Sequence, residues 1–352
     1  MDFLKNHYYQ EDLAKISTQL NLDELLGKSF LVTGATGMIG SCIVDYLCFL
    51  HDQGYSTQIY ALGRSAKKIE ERFGKRIHEE YFHVIEQNVE EKFSFEYDID
   101  YMIHAASNSN PKLYAVEPVE TFAGNVFGMK NVLEFAKDHS VKKVLYVSSG
   151  EMYGFAENDM ENFNESFVGK LDYSSSRTCY PAGKRAAEIL CQCYYDEYQV
   201  ASSIVRPCHI YGPTMTNADT RAISSFIKDG IAERDIVMKS KGEQIRSHCY
   251  VVDAVSAIMK VLTQGENGEA YNIASDQSAY SIREMAEMIS TYCHTSIVFD
   301  APNEIEKKGF TKIPLAVLDN TKLKSLGWKN EYCLRDGIER TIDILKQEQS
   351  TY

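Results

Sequence analysis

The 352-residue sequence has a single tryptophan and seven prolines, and no stretch of it is rich in proline or glycine. An extended linker is therefore not expected, and any division into domains has to be gradual. No internal repeat and no low-complexity tract occurs. Positive charge is in short supply: 37 Lys and Arg against 50 Asp and Glu leave a net −13. A protein that neutralises a phosphate backbone needs a clustered basic excess, so nucleic acid is not an expected partner. A membrane is not expected either. The most apolar stretch, Cys42 to Leu50, is short and interrupted by Asp45, and Met1-Asp2-Phe3-Leu4-Lys5-Asn6-His7 has no basic segment leading into an apolar one. Paired cysteines are also missing. The nine cysteines lie scattered from Cys42 to Cys333 without a CxxC pair, which predicts reduced thiols and neither a disulfide framework nor a metal site. The expectation is a soluble, cytoplasmic protein whose 44% hydrophobic content can bury a sizeable core.

What the chain does have is a regular series of short apolar runs separated by helical patterns. They are Phe30-Leu31-Val32, Ile59-Tyr60-Ala61-Leu62, Tyr101-Met102-Ile103, Val144-Leu145-Tyr146-Val147 and Ser203-Ile204-Val205. Runs this short, with little polar alternation, describe parallel strands covered on both faces, and hence a Rossmann-type, doubly wound α/β sheet. After about Pro213 the pattern loosens into helices and loops, with a late strand at Ala270-Tyr271-Asn272-Ile273 and a last helix from about Leu334. The expected organisation is an N-terminal helical extension over 1–27, a dinucleotide-binding domain over 28–206 and a smaller C-terminal α/β lobe over 207–352. Leu13, Ile16 and Leu20 give the extension an apolar face at helical spacing.

The first motif with chemistry is Val32-Thr33-Gly34-Ala35-Thr36-Gly37-Met38-Ile39-Gly40, between a predicted strand and a predicted helix. Glycines permit a tight turn and close backbone approach, while the helix points its N–H groups at a pyrophosphate. The alternative is a plain strand-to-helix turn. The spacing GxxGxxG resembles that of the extended short-chain dehydrogenase/reductase superfamily. That resemblance implies cofactor contacts from Gly34, Thr36, Gly37, Met38, Ile39 and Gly40. At the end of the second strand, where the superfamily often has an acid for the adenosine ribose, this chain has Gly63-Arg64. Arg64 either meets a 2′-phosphate or is a solvated surface residue, so NAD is expected with NADP left open. Asn88-Val89 stands where the family usually has Asp-Val beside the adenine.

The second motif is Tyr180-Pro181-Ala182-Gly183-Lys184, downstream of Val147-Ser148-Ser149-Gly150-Glu151-Met152-Tyr153-Gly154. On a helix, residues four apart share a face, so the Lys184 ammonium is expected beside the Tyr180 hydroxyl, lowering its pKa. A phenolate there takes a hydroxyl proton while hydride leaves the same carbon, and Ser149 hydrogen-bonds that hydroxyl. Read alone, a Tyr and a Lys at this spacing are also common surface decoration. The strand-to-loop segment before them ends at the carboxyl edge of the sheet, where α/β sites lie.

With these residues the resemblance narrows to nucleotide-sugar-modifying members of the superfamily, nearest to the UDP-glucuronate decarboxylases. It is carried by GATGMIG, His104-Ala105-Ala106-Ser107 with Pro111, Tyr114 and Pro118, Asn125-Val126, SSGEMYG, Arg177-Thr178-Cys179-Tyr180, RPCHIYGP from Arg206 to Pro213, and QIRSHCYVVD from Gln244 to Asp253. The resemblance implies a catalytic set of Ser149, Glu151, Tyr180 and Lys184, with further cofactor contacts from Ala105, Ala106, Asn125, Tyr180 and Lys184. It also implies a nucleotide-sugar substrate held by Tyr114, Arg177, His209, Arg221 and Arg246 in a lobe formed mainly by 207–352. The two arginines Arg221 and Arg246 suit an anionic ligand.

Glu151 discriminates among reactions within this group. Four-epimerases usually have a small apolar residue there, and 4,6-dehydratases have an Asp-Glu pair, whereas here Gly150 precedes Glu151. Decarboxylases have the Glu without the Asp. The alternative is a solvent-facing loop carboxylate. Two departures stand against this assignment. His209 replaces an Asn, acting either as a substrate donor or as a packed neutral histidine. The decarboxylases' Arg-Lys-Pro segment is matched by Thr311-Lys312-Ile313-Pro314, where Lys312 offers a point charge rather than a fork. Three function classes follow: a redox-neutral lyase, an epimerase or net keto-sugar reductase, and a non-catalytic dinucleotide sensor. A sensor needs no proton relay. The resemblance also implies a homodimer, paired through the helix after Pro118 and the Tyr180 helix, with Ala187, Ile189, Leu190, Val126, Met129 and Leu133 at the seam.

Overall fold

The computed structural model describes residues 3–156, 162–303 and 315–350. Six parallel strands come first: β1 (Ser29–Thr33), β2 (Gln58–Gly63), β3 (Phe82–Glu86), β4 (Tyr101–His104), β5 (Lys143–Val147) and β6 (Ser202–Pro207). The chain then leaves for β7 (His209–Tyr211), β8 (Ile236–Met238) and β9 (Ile245–Tyr250) before returning as β10 (Ala270–Ile273). The main sheet has seven strands in the order β10-β6-β5-β4-β1-β2-β3. All five residues of β1 and of β5 are buried, as expected of strands covered on both faces. The late strand Ala270–Ile273 lies parallel beside β6, so the main sheet draws on residues well beyond 206. After β3 the chain crosses to the other side of β1 and adds β4 beside it. A ligand crevice is expected at the carboxyl ends of the strands where that order reverses.

A smaller sheet has β9 at its centre, paired with β7, with β11 (Ala279–Ser281) and with β13 (Leu315–Ala316). β8 pairs separately with β12 (Ile297–Phe299). Only Cys208 separates β6 from β7, so the two sheets diverge within one residue.

After a short 3-10 turn at Phe3–Lys5 comes helix α1 (His7–Ser17); α2 (Met38–Leu50) follows β1, and α3 (Ala66–Phe73) follows β2. Then come α4 (Pro111–Val116), α5 (Pro118–Asp138) and α6 (Cys179–Tyr198). In the second half lie α7 (Ala222–Ile231), α8 (Val251–Gln264), α9 (Ile282–Cys293) and a last helix, Leu334–Ser350. Tyr9, Leu13 and Ile16 bury the inner face of α1, while Leu20 falls beyond its end. Tyr9 donates to the buried Asp45 of α2 at 2.9 Å, and Arg72 of α3 pairs with the same carboxylate. Asp12 is fully buried. It accepts from Tyr250 at 2.7 Å, from Arg340 Nε at 2.8 Å and from the Tyr332 hydroxyl. The extension therefore ties α2 to the β9–α8 corner and to the last helix. Removing one partner of such a buried pair costs about 3–5 kcal/mol.

Of the six residues expected at a dimer seam, Met129, Leu133 and Ala187 are packed into the core beneath α5 and α6. The exposed apolar positions nearby are Val119 (72%), Phe127 (55%) and Ile189 (62%), with Val116 and Phe122. The nine cysteines are free, and among the described residues no helix is long and apolar enough to cross a membrane.

Candidate active site

A cavity of about 640 Å³ opens where the two sheets diverge. Its first wall is the glycine turn. Gly34 has φ +70°, and a Cβ there would lie 2.8 Å from the Ala106 backbone; a Cβ on Gly40 would lie 2.2 Å from the Gly34 carbonyl oxygen. Neither position has room for a side chain. The Gly37 N–H donates to that carbonyl at 2.9 Å, Gly37 caps α2, and Gly37, Met38, Ile39 and Gly40 face the cavity. This backbone cradle at the start of a 13-residue helix fits a dinucleotide pyrophosphate.

The second wall is α6. Tyr180, Gly183, Lys184, Ala187, Glu188 and Cys191 form its buried face, at the three- and four-residue spacing of one helical stripe. Lys184 donates to the Val147 carbonyl at 2.8 Å, and its Nζ lies 5.7 Å from the Tyr180 ring centroid. Burial pushes the Lys184 ammonium down to about 7. Burial pushes Tyr180 up to about 12, and the Glu151 charge adds to the rise. The Ser149 and Tyr114 hydroxyls and Arg221 oppose it. The two residues share a face as expected, but the expected net lowering of the phenol's pKa is not found: burial and the Glu151 charge outweigh the groups that pull it down, and the Lys184 ammonium is itself desolvated and bound to a carbonyl.

The loop after β5 carries Ser149 and Glu151. The Ser149 hydroxyl accepts the Glu151 N–H at 3.1 Å, which fixes the first turn of the loop. Glu151 Oε2 accepts from Arg177 Nη2 at 2.9 Å. Behind the loop, Arg206 donates to both Glu188 oxygens at 2.7–3.2 Å and to the Tyr153 hydroxyl at 2.9 Å, and Tyr153 donates to Asn272 at 2.7 Å. This satisfied buried network holds β5, β6, β10 and α6 together under the site.

The far side is basic. Arg221, at the start of α7, pairs in a fork with Asp219 at 2.6–3.1 Å, and Asp219 also accepts from Ser224 at 2.7 Å. Lys228 fastens the 216–219 turn by donating to three of its carbonyls. Burial pushes Arg246 down to about 10, with the Glu151 charge opposing. His209 also faces the cavity; burial, with His248, Arg246 and Arg221 nearby, pushes it well below the usual histidine range, so it is neutral.

One cavity thus brings together Ser149, Glu151, Tyr180 and Lys184, the Gly37–Gly40 turn, Ala105, Tyr114, Arg177, His209, Arg221 and Arg246. Asn125 lies behind the wall, donating to the Thr121 carbonyl at 2.7 Å and accepting from Ser107. Gly34, Thr36 and Ala106 are in the turn and the segment against it, outside the cavity lining. Gly63, the exposed Arg64, Asn88 and Val89 also lie outside it, along the carboxyl ends of β2 and β3. Thr311-Lys312-Ile313-Pro314 falls outside the described residues. Sequence reasoning gave no role to Cys208, Lys239 or Gln244 in the lining, nor to Asp219 behind Arg221. Cys208 stands beside the singled-out His209, but its thiol has no pattern of its own.

A model of the NAD dependent epimerase/dehydratase family matches residues 30–274. Among curated proteins, UDP-glucuronic acid decarboxylase 5 of Arabidopsis thaliana is 29% identical over 309 residues, covering 88% of this chain and 86% of the relative. UDP-glucuronic acid decarboxylase 1 of Xenopus tropicalis is 27% identical, covering 93% and 74%. Among solved structures, UDP-glucose 4-epimerase of Thermotoga maritima with UDP-glucose superposes with a TM-score of 0.78 at 21% identity, covering 91% of this chain and 99% of that one. UDP-glucuronic acid 4-epimerase of Bacillus cereus, in complex with NAD and a fluorinated UDP-glucuronic acid, does so with a TM-score of 0.77 at 19% identity, covering 91% and 99%.

Proposed function

Because the chain belongs to the NAD dependent epimerase/dehydratase family, whose cofactor is NAD, we propose that it acts on a nucleotide sugar through a 4-keto intermediate, as a UDP-glucuronate decarboxylase-like lyase. The observation that carries this reading is Glu151 inside the cavity that holds Tyr180, with Gly150 before it. The decarboxylase names of the relatives support it. Bound NAD supplies a hydride acceptor for the sugar C4 and later the hydride donor.

The glycine turn and α2 hold the pyrophosphate. Gly63, Asn88 and Val89 flank the adenosine end, and Asn125 braces the wall between. Tyr180 takes the C4 hydroxyl proton, and Ser149 orients that hydroxyl. Arg221 and Arg246 face the diphosphate, while Tyr114, Arg177 and His209 line the sugar. The parts of 207–352 outside the main sheet make up most of this nucleotide-sugar lobe. Oxidation at C4 turns a 5-carboxylate into a β-keto acid, which loses carbon dioxide, and Glu151 stands where C5 chemistry needs an acid. The Arg64 position, exposed and away from the cavity, suits NAD as well as NADP.

Incubation with UDP-glucuronate under multiple turnover is expected to release carbon dioxide while the absorbance of free reduced nicotinamide stays flat. Loss of water without carbon dioxide would make the protein a dehydratase. Stoichiometric NADPH consumption would make it a keto-sugar reductase.

A further inference from the structure

Glu151 and Tyr180 are awkward neighbours. A carboxylate that serves chemistry at C5 must sit close to the phenol that serves C4, and its negative charge disfavours the phenolate the reaction needs. Among the charges acting on Tyr180, the Glu151 carboxylate is the largest, and it opposes ionisation.

Arg177 touches both sides of this conflict. Its Nη2 donates to Glu151 at 2.9 Å. Its guanidinium lies 4.6 Å over the Tyr114 ring, and that ring stacks on Tyr180 with centroids 4.6 Å apart and planes 14° from parallel. Its Nε is buried without a hydrogen-bond partner, so the side chain is held by the ion pair and the ring rather than by a full set of bonds. The turn before α6 places Arg177 three residues ahead of Tyr180, and the Ser175 hydroxyl fixes that turn by accepting the Arg177 N–H.

We propose that Arg177 is a positioning residue that lets the acid and the base share one cavity: it pairs with Glu151 and caps the Tyr114–Tyr180 stack, so its positive charge offsets part of the carboxylate's pull on Tyr180. The proposal rests on the reading of Tyr180 as the base. The other groups facing Tyr180 are Ser149 on the β5 loop, Tyr114 on α4, Tyr146 on β5, Lys184 on α6 and Arg221 at the start of α7. A chain with a small apolar residue at 151 would need no such cation.

The test uses the protein alone. The phenolate absorbance of each variant is read after rapid mixing to a fixed alkaline pH, and the same variant carrying Tyr180→Phe is subtracted, which isolates one phenol among 23 tyrosines. Arg177→Met should move the Tyr180 ionisation up by roughly one pH unit, the scale of a unit charge about 10 Å away at an effective dielectric of about 20. Glu151→Gln should move it down by a similar amount. The double variant, which removes both charges, should return near wild type, and Arg177→Lys should titrate close to wild type. An unchanged titration in Arg177→Met, or a double variant no different from Arg177→Met, overturns the proposal. If Arg177→Met does not fold, Glu151→Gln decides, and an unmoved ionisation there overturns it equally.

With a turned-over sugar nucleotide, the low-pH limb of kcat in Arg177→Met should shift upward with a smaller change in KM. A raised KM on an unshifted profile would make Arg177 a plain substrate contact. Absence of carbon dioxide from UDP-glucuronate would overturn the reading of the reaction but leave the titration to judge Arg177.

Discussion

Gly40→Ala places one methyl group where the glycine turn has no space for it. The new Cβ would lie 2.2 Å from the Gly34 carbonyl oxygen and 2.9 Å from its carbon, against an ordinary contact of 3.4–4 Å. Both neighbours are backbone, so the turn has to open or the start of α2 has to move by more than about 1 Å. Overpacking of this kind costs about 1–3 kcal/mol. For 352 residues, at roughly 2 cal/mol/K of unfolding entropy each, a loss of that size lowers Tm by roughly 1–4 °C. The larger effect falls on NAD, because the N–H groups of the first turn no longer converge on one point. A tenfold loss of affinity corresponds to about 1.4 kcal/mol, and at least that much is expected by titration calorimetry. Gly37→Ala separates folding from binding: its Cβ meets only the Gly34 oxygen, at 3.3 Å, and its backbone is already extended with φ −76°, so it should melt near the wild type, while its methyl group faces the cavity and should still weaken NAD. If Gly40→Ala bound NAD and melted like the wild type, and Gly37→Ala also left NAD affinity unchanged, the cradle would not be the pyrophosphate site.

Two further outcomes can be checked directly. Tyr180→Phe should lower turnover at least ~10²-fold while leaving NAD affinity nearly unchanged, and near-normal turnover would mean that the base is elsewhere. A homodimer through α5 and α6 should appear in sedimentation at micromolar concentration; Phe127→Asp with Ile189→Asp should dissociate it without lowering its content of secondary structure, and a wild-type monomer would refute the pairing.

Five strands of the main sheet were legible because burial on both faces writes itself as short apolar runs, whereas the edge strand β3, partly exposed and broken by His83, did not read as such a run; the glycine turn was legible because backbone without side chains leaves few alternatives. Ala270–Ile273 was legible as a strand but not as part of the main sheet, since its partner β6 is distant in sequence and pairing leaves no local mark. The dimer seam misled for a related reason. Helices α5 and α6 are apolar on more than one side, and periodicity cannot tell the face that meets the sheet from the one that meets solvent, so Met129, Leu133 and Ala187 read as surface. At the site, the four-residue spacing placed Tyr180 and Lys184 on one face of α6 correctly. It could not show that the ammonium turns to the Val147 carbonyl, because that acceptor comes from another strand. The Glu151–Arg177 pair joins residues 26 apart across two loops and has no sequence signal beyond the two charges.

The bonds around Asp12 also set a schedule. Asp12 leaves the ribosome 328 residues before Arg340 and 320 before Tyr332, so α1 has no complete partner until both of them have been made. Until then its carboxylate stays solvated and the apolar face of Tyr9, Leu13 and Ile16 has only α2 and α8 to cover it. Docking of the extension thus waits for the helix that carries Arg340, and a stalled or shortened chain that lacks this helix exposes α1 to proteases and chaperones.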